Sequence, residues 1–190
     1  MSSNKQPWLV IIAGPNGAGK TTLVNLLMRF YDTESGRIAI DGRDVRSIPM
    51  KELRERFGVV FQKDMIFADT VRENISFARD LTQEEIEAAA ADACAAGFIE
   101  VLGEGTEESR YDYKAAIKGA NLSGGQKQRI LIARAFAAKP EILILDDASS
   151  ALDYKTDAKL RKALKEHYAE STIILVAQHL SLRKNCTLNS

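Results

Sequence analysis

Short unbroken runs of apolar residues alternate along this chain with longer stretches in which apolar positions recur every three to four residues. Trp8 to Ala13, a short apolar run closed by a glycine loop, has the pattern of a buried parallel strand, and it feeds a helix from Lys20 to about Phe30. Trp8 itself is expected to belong to the strand or the core. Arg37 to Asp41 alternates around Ile38 and Ile40 and turns at Asp41-Gly42, which predicts a small hairpin; Phe57 to Gln62 predicts another strand. Thr82, with Glu85 three residues on, makes a capping box, and Ile86, Ala89, Ala90, Ala93, Ala96 and Ile99 follow at helical spacing. One helix is predicted there, ending between Gly97 and Gly103. Gly103 to Asn121 is polar and glycine-containing, a loop, whereas Gly124 to Ala138 is helical and stops at Lys139-Pro140. Ile142 to Leu145 and Thr172 to Ala177 are two more buried strands, and Tyr154 to Tyr168 between them is a helix capped by Asp153. Buried strands alternating with helices predict an α/β fold with a mostly parallel sheet flanked by helices.

Composition narrows the partners. At 190 residues and 45% hydrophobic content the chain can bury one core, so a single domain over residues 1–190 is expected. Its 26 basic and 26 acidic residues balance, so no overall field favours nucleic acid or an anionic membrane surface, and no nucleic-acid partner is expected. No apolar run is long enough to span a bilayer, and Met1 to Pro7 is polar, which predicts a cytoplasmic location. Cys94 and Cys186 stand apart, with no CxxC or Cys/His spacing, and read as incidental thiols.

Three motifs carry chemistry. Gly14-Pro15-Asn16-Gly17-Ala18-Gly19-Lys20-Thr21 fits the phosphate-loop spacing, in which successive backbone N–H groups converge on phosphate oxygens at a helix N-terminus. Lys20 is then placed to reach the β and γ phosphates, and Thr21 to ligate Mg²⁺. Asp146 ends an apolar strand, where a carboxylate at the same sheet edge can hold magnesium directly or through water. In Leu122-Ser123-Gly124-Gly125-Gln126 the serine can cap the following helix while the two glycines leave N–H groups open to an oxyanion.

In that order these motifs resemble the ATP-binding domain of ATP-binding-cassette (ABC) transporters, from Trp8 to about Asn185. The resemblance implies a phosphate-loop NTPase fold with a helical subdomain, about residues 78–135, that carries the signature Ser123 to Gln126. It implies ATP and Mg²⁺ as ligands, with ATP held by Gly14, Asn16, Gly17, Ala18, Gly19, Lys20, Thr21 and Thr22, and the metal by Thr21, Gln62 and Asp146. Ser123, Gly124, Gly125 and Gln126 are implied to serve ATP bound by a second nucleotide-binding domain, in a homo- or heterodimer. Gln62 matches the glutamine that touches magnesium and water, and it and the loop around Lys114 to Ala120 are implied to answer to a transmembrane partner. Ser150-Ala151-Leu152-Asp153 resembles the loop that crosses the dimer interface, while Tyr31-Asp32, Ser35 to Ile38 and Ile40-Asp41-Gly42 resemble the exporter-type subfamily. Such a domain sits at the membrane through its partner and drives export.

The pattern departs from the family at the chemistry. Asp147 occupies the position where efficient hydrolases of the family carry glutamate, and Gln178 that of the switch histidine; His179 follows one residue later. Both changes concern the chain's own phosphate loop while the signature is intact, which resembles the degenerate half of a heterodimeric exporter with slow hydrolysis at its own site. The ends look shorter than family domains, both before Gly14 and after the switch position. Two other readings remain: a nucleotide-binding module without turnover, and a phosphotransferase, because Pro7 to Gly14 also resembles small phosphate-loop kinases of the zeta-toxin type.

Overall fold

The computed structural model describes residues 8–13, 19–62, 65–148 and 150–177. Four parallel strands form the main sheet: β1 (Leu9–Ala13), β4 (Phe57–Val60), β5 (Ile142–Asp146) and β6 (Thr172–Ala177), in the order β1-β6-β5-β4. A two-stranded hairpin, β2 (Ala39–Ile40) and β3 (Arg43–Asp44), turns at Asp41-Gly42, where both residues have positive φ as a tight hairpin turn requires. Helices α1 (Lys20–Leu27) and α2 (Met50–Glu55) precede β4, and α3 (Val71–Ser76), α4 (Gln83–Asp92), α5 (Ala96–Ile99) and α6 (Gly124–Ala137) lie between β4 and β5. The last helix, α7 (Tyr154–His167), connects β5 to β6.

Alternation along β5 divides the core into two layers. Ile144 points to the cluster built on Val24 and Met28 of α1, Leu53 of α2 and Ile174 and Val176 of β6. Leu143 and Leu145 point the other way, to the cluster of Val71 and Ile75 of α3, Ile86 and Ala90 of α4, and Leu160 and Leu164 of α7. Helix α6 runs through this second layer and is buried without interruption from Ile130 to Ala137, as a helix covered on every side must be. Its Phe136 stacks on Tyr168 at 4.3 Å between ring centroids.

Several expectations are corrected. Among the described residues β1 is an edge strand, at the opposite side of the sheet from β4, and its Leu9, Val10 and Ile11 are exposed rather than buried. Trp8 is neither strand nor core: it precedes Leu9 and is 65% exposed. The helix from Lys20 stops at Leu27, beyond which Arg29 adopts φ 54°, and the strand from Phe57 ends at Val60. The alanine-rich helix is two helices, α4 and α5, because the chain turns left-handed at Cys94, with φ 56°. Helices α2 and α3 were not foreseen, nor were the single 3₁₀ turns at Arg110–Asp112 and Ile117–Gly119 inside the predicted loop.

Candidate nucleotide site

In a parallel sheet every strand delivers its carboxyl end to the same edge, and the register shows which residues arrive together. Ala13 lies beside Ala177, Asp146 beside Val176, and Val60 beside Leu145, so the ends of all four strands stand in a row. α1 begins at this edge, six residues past β1. Its N-cap is Gly19 at φ 73°, with no side-chain cap and no acidic residue in the first turn. The first N–H groups of α1 and the positive end of its dipole are thus left for an anion. The structure places the backbone of Lys20 and Thr21 in the first turn and Thr22 exposed behind them; Gly14, Asn16, Gly17, Ala18 and Gln178 lie outside the described residues, as do His179 and the side chains of Lys20 and Thr21.

Asp146, the last residue of β5, is 5% exposed. A carboxylate so far from water needs a cation or donors close by. Asp147 follows, half-buried, with its backbone fixed on both sides: its N–H donates to Val176 O at 2.8 Å, and its carbonyl accepts from Ser150 N at 3.2 Å and Ser150 Oγ at 2.9 Å. Between these ties the residue sits at φ 56°, in the left-handed region, where aspartate is among the better-tolerated side chains. Gln62 is exposed two residues beyond β4, at the same edge. Among the described residues no three His, Cys, Asp or Glu side chains gather into a metal cage. The strand-end carboxylate of Asp146 is a hard oxygen donor, the kind that fits Mg²⁺ coordinated in large part by phosphates.

The signature motif lies at the start of α6. Ser123 Oγ accepts from Gln126 N at 3.3 Å, and Gln126 Oε1 accepts from Ser123 N at 2.8 Å, both halves of a capping box. Gln126 therefore spends its acceptor on holding the helix start, and Ser123 and Gly124 at that start are exposed. Gly125 lies close to the Ser150–Asp153 loop, since a Cβ on it would stand 3.2 Å from Ala151 O. Asp153 ends that loop by capping α7; hydrogen bonds from the Thr156 hydroxyl and amide hold its carboxyl below the usual carboxylate range.

Further along α6 is a buried cation that the sequence did not single out. Arg134 of α6, 6% exposed, donates from Nε to Asn74 O at 2.7 Å, from Nη1 to Met65 O at 3.1 Å and from Nη2 to Asn74 Oδ1 at 3.1 Å. Asn74 in turn binds the main chain of Phe67, Asp69 and Thr70. The segment after Gln62 is thereby fastened to α3 and α6. Thr70-x-x-Glu73, whose hydroxyl accepts from Glu73 N at 3.0 Å, was the available sequence signal for the start of α3.

Comparison with known proteins agrees with this architecture. The family model described as ABC transporter matches residues 3–150. The ATP-dependent lipid A-core flippase of Desulfotalea psychrophila is 45% identical over 93% of this chain and 30% of its own length. The fatty acid ABC transporter ATP-binding/permease protein of Mycobacterium bovis is 44% identical over 90% of this chain and 27% of its own length. Among solved structures, a bacterial Atm1-family ABC exporter with ATP bound superposes with a TM-score of 0.86 at 40% identity, over 92% of this chain and 30% of that one. The chain thus spans under a third of the length of these relatives, and no helix among its described residues is long and apolar enough to cross a membrane. Strand-end carboxylate, uncapped α1, capped signature helix and family model all concur: the chain belongs to the ABC transporter family, as an ATP-binding domain of the exporter type.

Proposed function

We propose that this chain is the Mg-ATP-driven motor domain of an exporter, slow at its own site, that completes the site of a second nucleotide-binding domain. Domains of this family bind ATP, generally with Mg²⁺, and are generally ATPases. The observation that carries the reading is the convergence of Asp146, Asp147, Gln62 and the uncapped start of α1 at one sheet edge, on a chain that also has a capped signature helix with an exposed start. The α1 N–H groups and Lys20 bind and orient the phosphates, and Asp146 with Thr21 and Gln62 holds the metal, which when bound neutralises charge building on the γ-phosphate. Asp147 orients the attacking water from a carboxylate one methylene shorter than glutamate; a misplacement of about 1 Å can lower the rate on the order of a hundredfold. Ser123, Gly124 and Gly125 donate hydrogen bonds to the γ-phosphate of ATP held by the second domain, with Gln126 bracing them. The export partner is a transmembrane domain, supported by the relatives whose names join ATP-binding and permease functions. On this reading the domain works at the cytoplasmic face of the membrane.

The test is steady-state Mg-ATP hydrolysis by the parent, by Asp147→Glu combined with Gln178→His, and by Lys20→Ala as background. Turnover that rises at least tenfold in the combined variant is expected, since a repositioned base alone can contribute on the order of a hundredfold. No turnover in any version, with ATP binding retained, would reduce the function to nucleotide binding.

A further inference from the structure

We propose that Asn121 is a positioning residue that fixes the Ser123 helix start to the segment following Gln62, so that displacement of one moves the other. The proposal rests on the reading above, in which both segments serve nucleotide. Asn121 immediately precedes Leu122-Ser123 and is exposed, yet its side chain makes three hydrogen bonds. Oδ1 accepts from Ala116 N at 2.8 Å, while Nδ2 donates to Lys114 O and to the Tyr113 hydroxyl, each at 3.0 Å. A surface asparagine with donor and acceptor both engaged on one strand of main chain orders that strand rather than decorating it.

The ordered strand, residues 113–116, is the one that meets the segment beyond Gln62. Thr70 and Lys114 form an isolated antiparallel bridge, in which Val71 N donates to Tyr113 O at 3.0 Å and Ala115 N donates to Asp69 O at 2.9 Å. A second contact lies on the other side of the loop. Gly119 has φ 63°, and a Cβ there would stand 3.2 Å from Ile66 Cβ and 3.3 Å from Lys127 Cδ, so its backbone is packed between the buried Ile66 and α6. Lys127 Nζ then donates to Lys118 O at 3.1 Å, tying α6 back onto the same loop. The link from residues 66–71 to Ser123 thus runs through two bridging hydrogen bonds and one side chain, and Asn121 is the member that joins the bridged loop to the helix start.

Hydrogen exchange on the full 190-residue chain tests the link without requiring turnover. Ala116 N–H, which bonds to Asn121 directly, serves as the internal control. Val71 and Ala115 N–H do not touch Asn121, and in Asn121→Ala their exchange is expected to rise about fivefold or more as the bridge opens more often. Asn121→Asp keeps the acceptor for Ala116 and loses both donors, so it should protect Ala116 while still releasing Val71 and Ala115. Tyr113→Phe, which removes one acceptor alone, is the milder arm and should give an intermediate effect. Exchange at Val71 and Ala115 unchanged in both Asn121 variants overturns the proposal.

Hydrolysis is read separately, and parent against Lys20→Ala decides the nucleotide reading by itself. Where the parent turns over, Asn121→Ala is expected to lower kcat about tenfold with KM within about threefold, the signature of lost transition-state alignment. Combined with Gln62→Ala the loss should be smaller than the product of the two single losses. A full product would show that the two segments act independently and would also sink the link.

Discussion

Replacing Arg134 with methionine removes a guanidinium from a place where three main-chain or side-chain oxygens depend on it. The carbonyls of Asn74 and Met65 lose donors at 2.7 and 3.1 Å, whereas Asn74 Oδ1 loses Nη2 but keeps the Phe67 N–H at 2.8 Å. Hydrogen bonds from a charged donor are worth about 1.5–3 kcal/mol each, so two full losses and one partial loss set a gross cost of about 4–6 kcal/mol. The guanidinium also lies 4.8 Å from the Phe77 ring and 5.3 Å from Phe67, adding roughly 0.5–1 kcal/mol per ring. Against this stands the desolvation that a buried cation no longer incurs and the apolar contact regained by a side chain of similar length, together about 1–4 kcal/mol. The net expectation is a destabilisation of about 4 kcal/mol, or a fall in Tm of about 8–16 °C for a chain of this size. Urea unfolding followed by circular dichroism, run on Arg134→Met, Asn74→Ala and the double variant, measures it. The pair should be coupled by about 1–2 kcal/mol, because both single changes break the bond from Arg134 Nη2 to Asn74 Oδ1. A variant within about 0.5 kcal/mol of the parent, or an additive double variant, would refute the claim that this network fastens the Gln62 segment.

Two further outcomes are expected. Ser123→Ala removes the acceptor for Gln126 N and should cost about 1 kcal/mol of stability, measurable by thermal melting, while abolishing any support given to a second domain's hydrolysis. Tyr111 is pushed up to about 12 chiefly by burial, with Glu87 and Glu100 adding to the shift. Its neutral form is favoured in the folded chain, so the stability it contributes is complete below about pH 10 and is lost as pH rises toward 12. Tm should therefore decline across that window in the parent and decline less in Tyr111→Phe; equal slopes would remove Tyr111 as the cause.

Local signals in the sequence located the elements whose ends are written into neighbouring residues. Thr82 and Glu85 form both halves of the capping box expected of them, and Asp153 caps α7 through Thr156. Strand-end positions were legible for the same reason: Asp146 follows an apolar run whose register with β6 leaves it at the sheet edge. What escaped was decided by contacts far apart in sequence. The burial of Leu9 to Ile11 depends on which strands flank β1, and a run of apolar residues looks the same at an edge as at the centre. The break at Cys94 interrupts a pattern of alanines that is equally good for one helix or two; its carbonyl is taken by Arg129 Nη1 at 2.9 Å, from a helix 35 residues away. Arg134 carries no local signal of its burial, because its partners, Met65 and Asn74, come from segments that only the fold brings together.

Asp147 sits at a fork in sequence space that its backbone makes lopsided. Held at φ 56° between Val176 and Ser150, the position suits short side chains whose polar group can turn back on the main chain. A step from aspartate to asparagine keeps the shape, satisfies the backbone at least as well and erases the charge. A step to glutamate adds reach but must be tolerated by a conformation less favourable to longer side chains, at a cost of roughly 1 kcal/mol or so. On the role proposed for Asp147, aspartate to asparagine would remove the charge without disturbing this backbone, whereas aspartate to glutamate would gain reach only against the strain of its conformation.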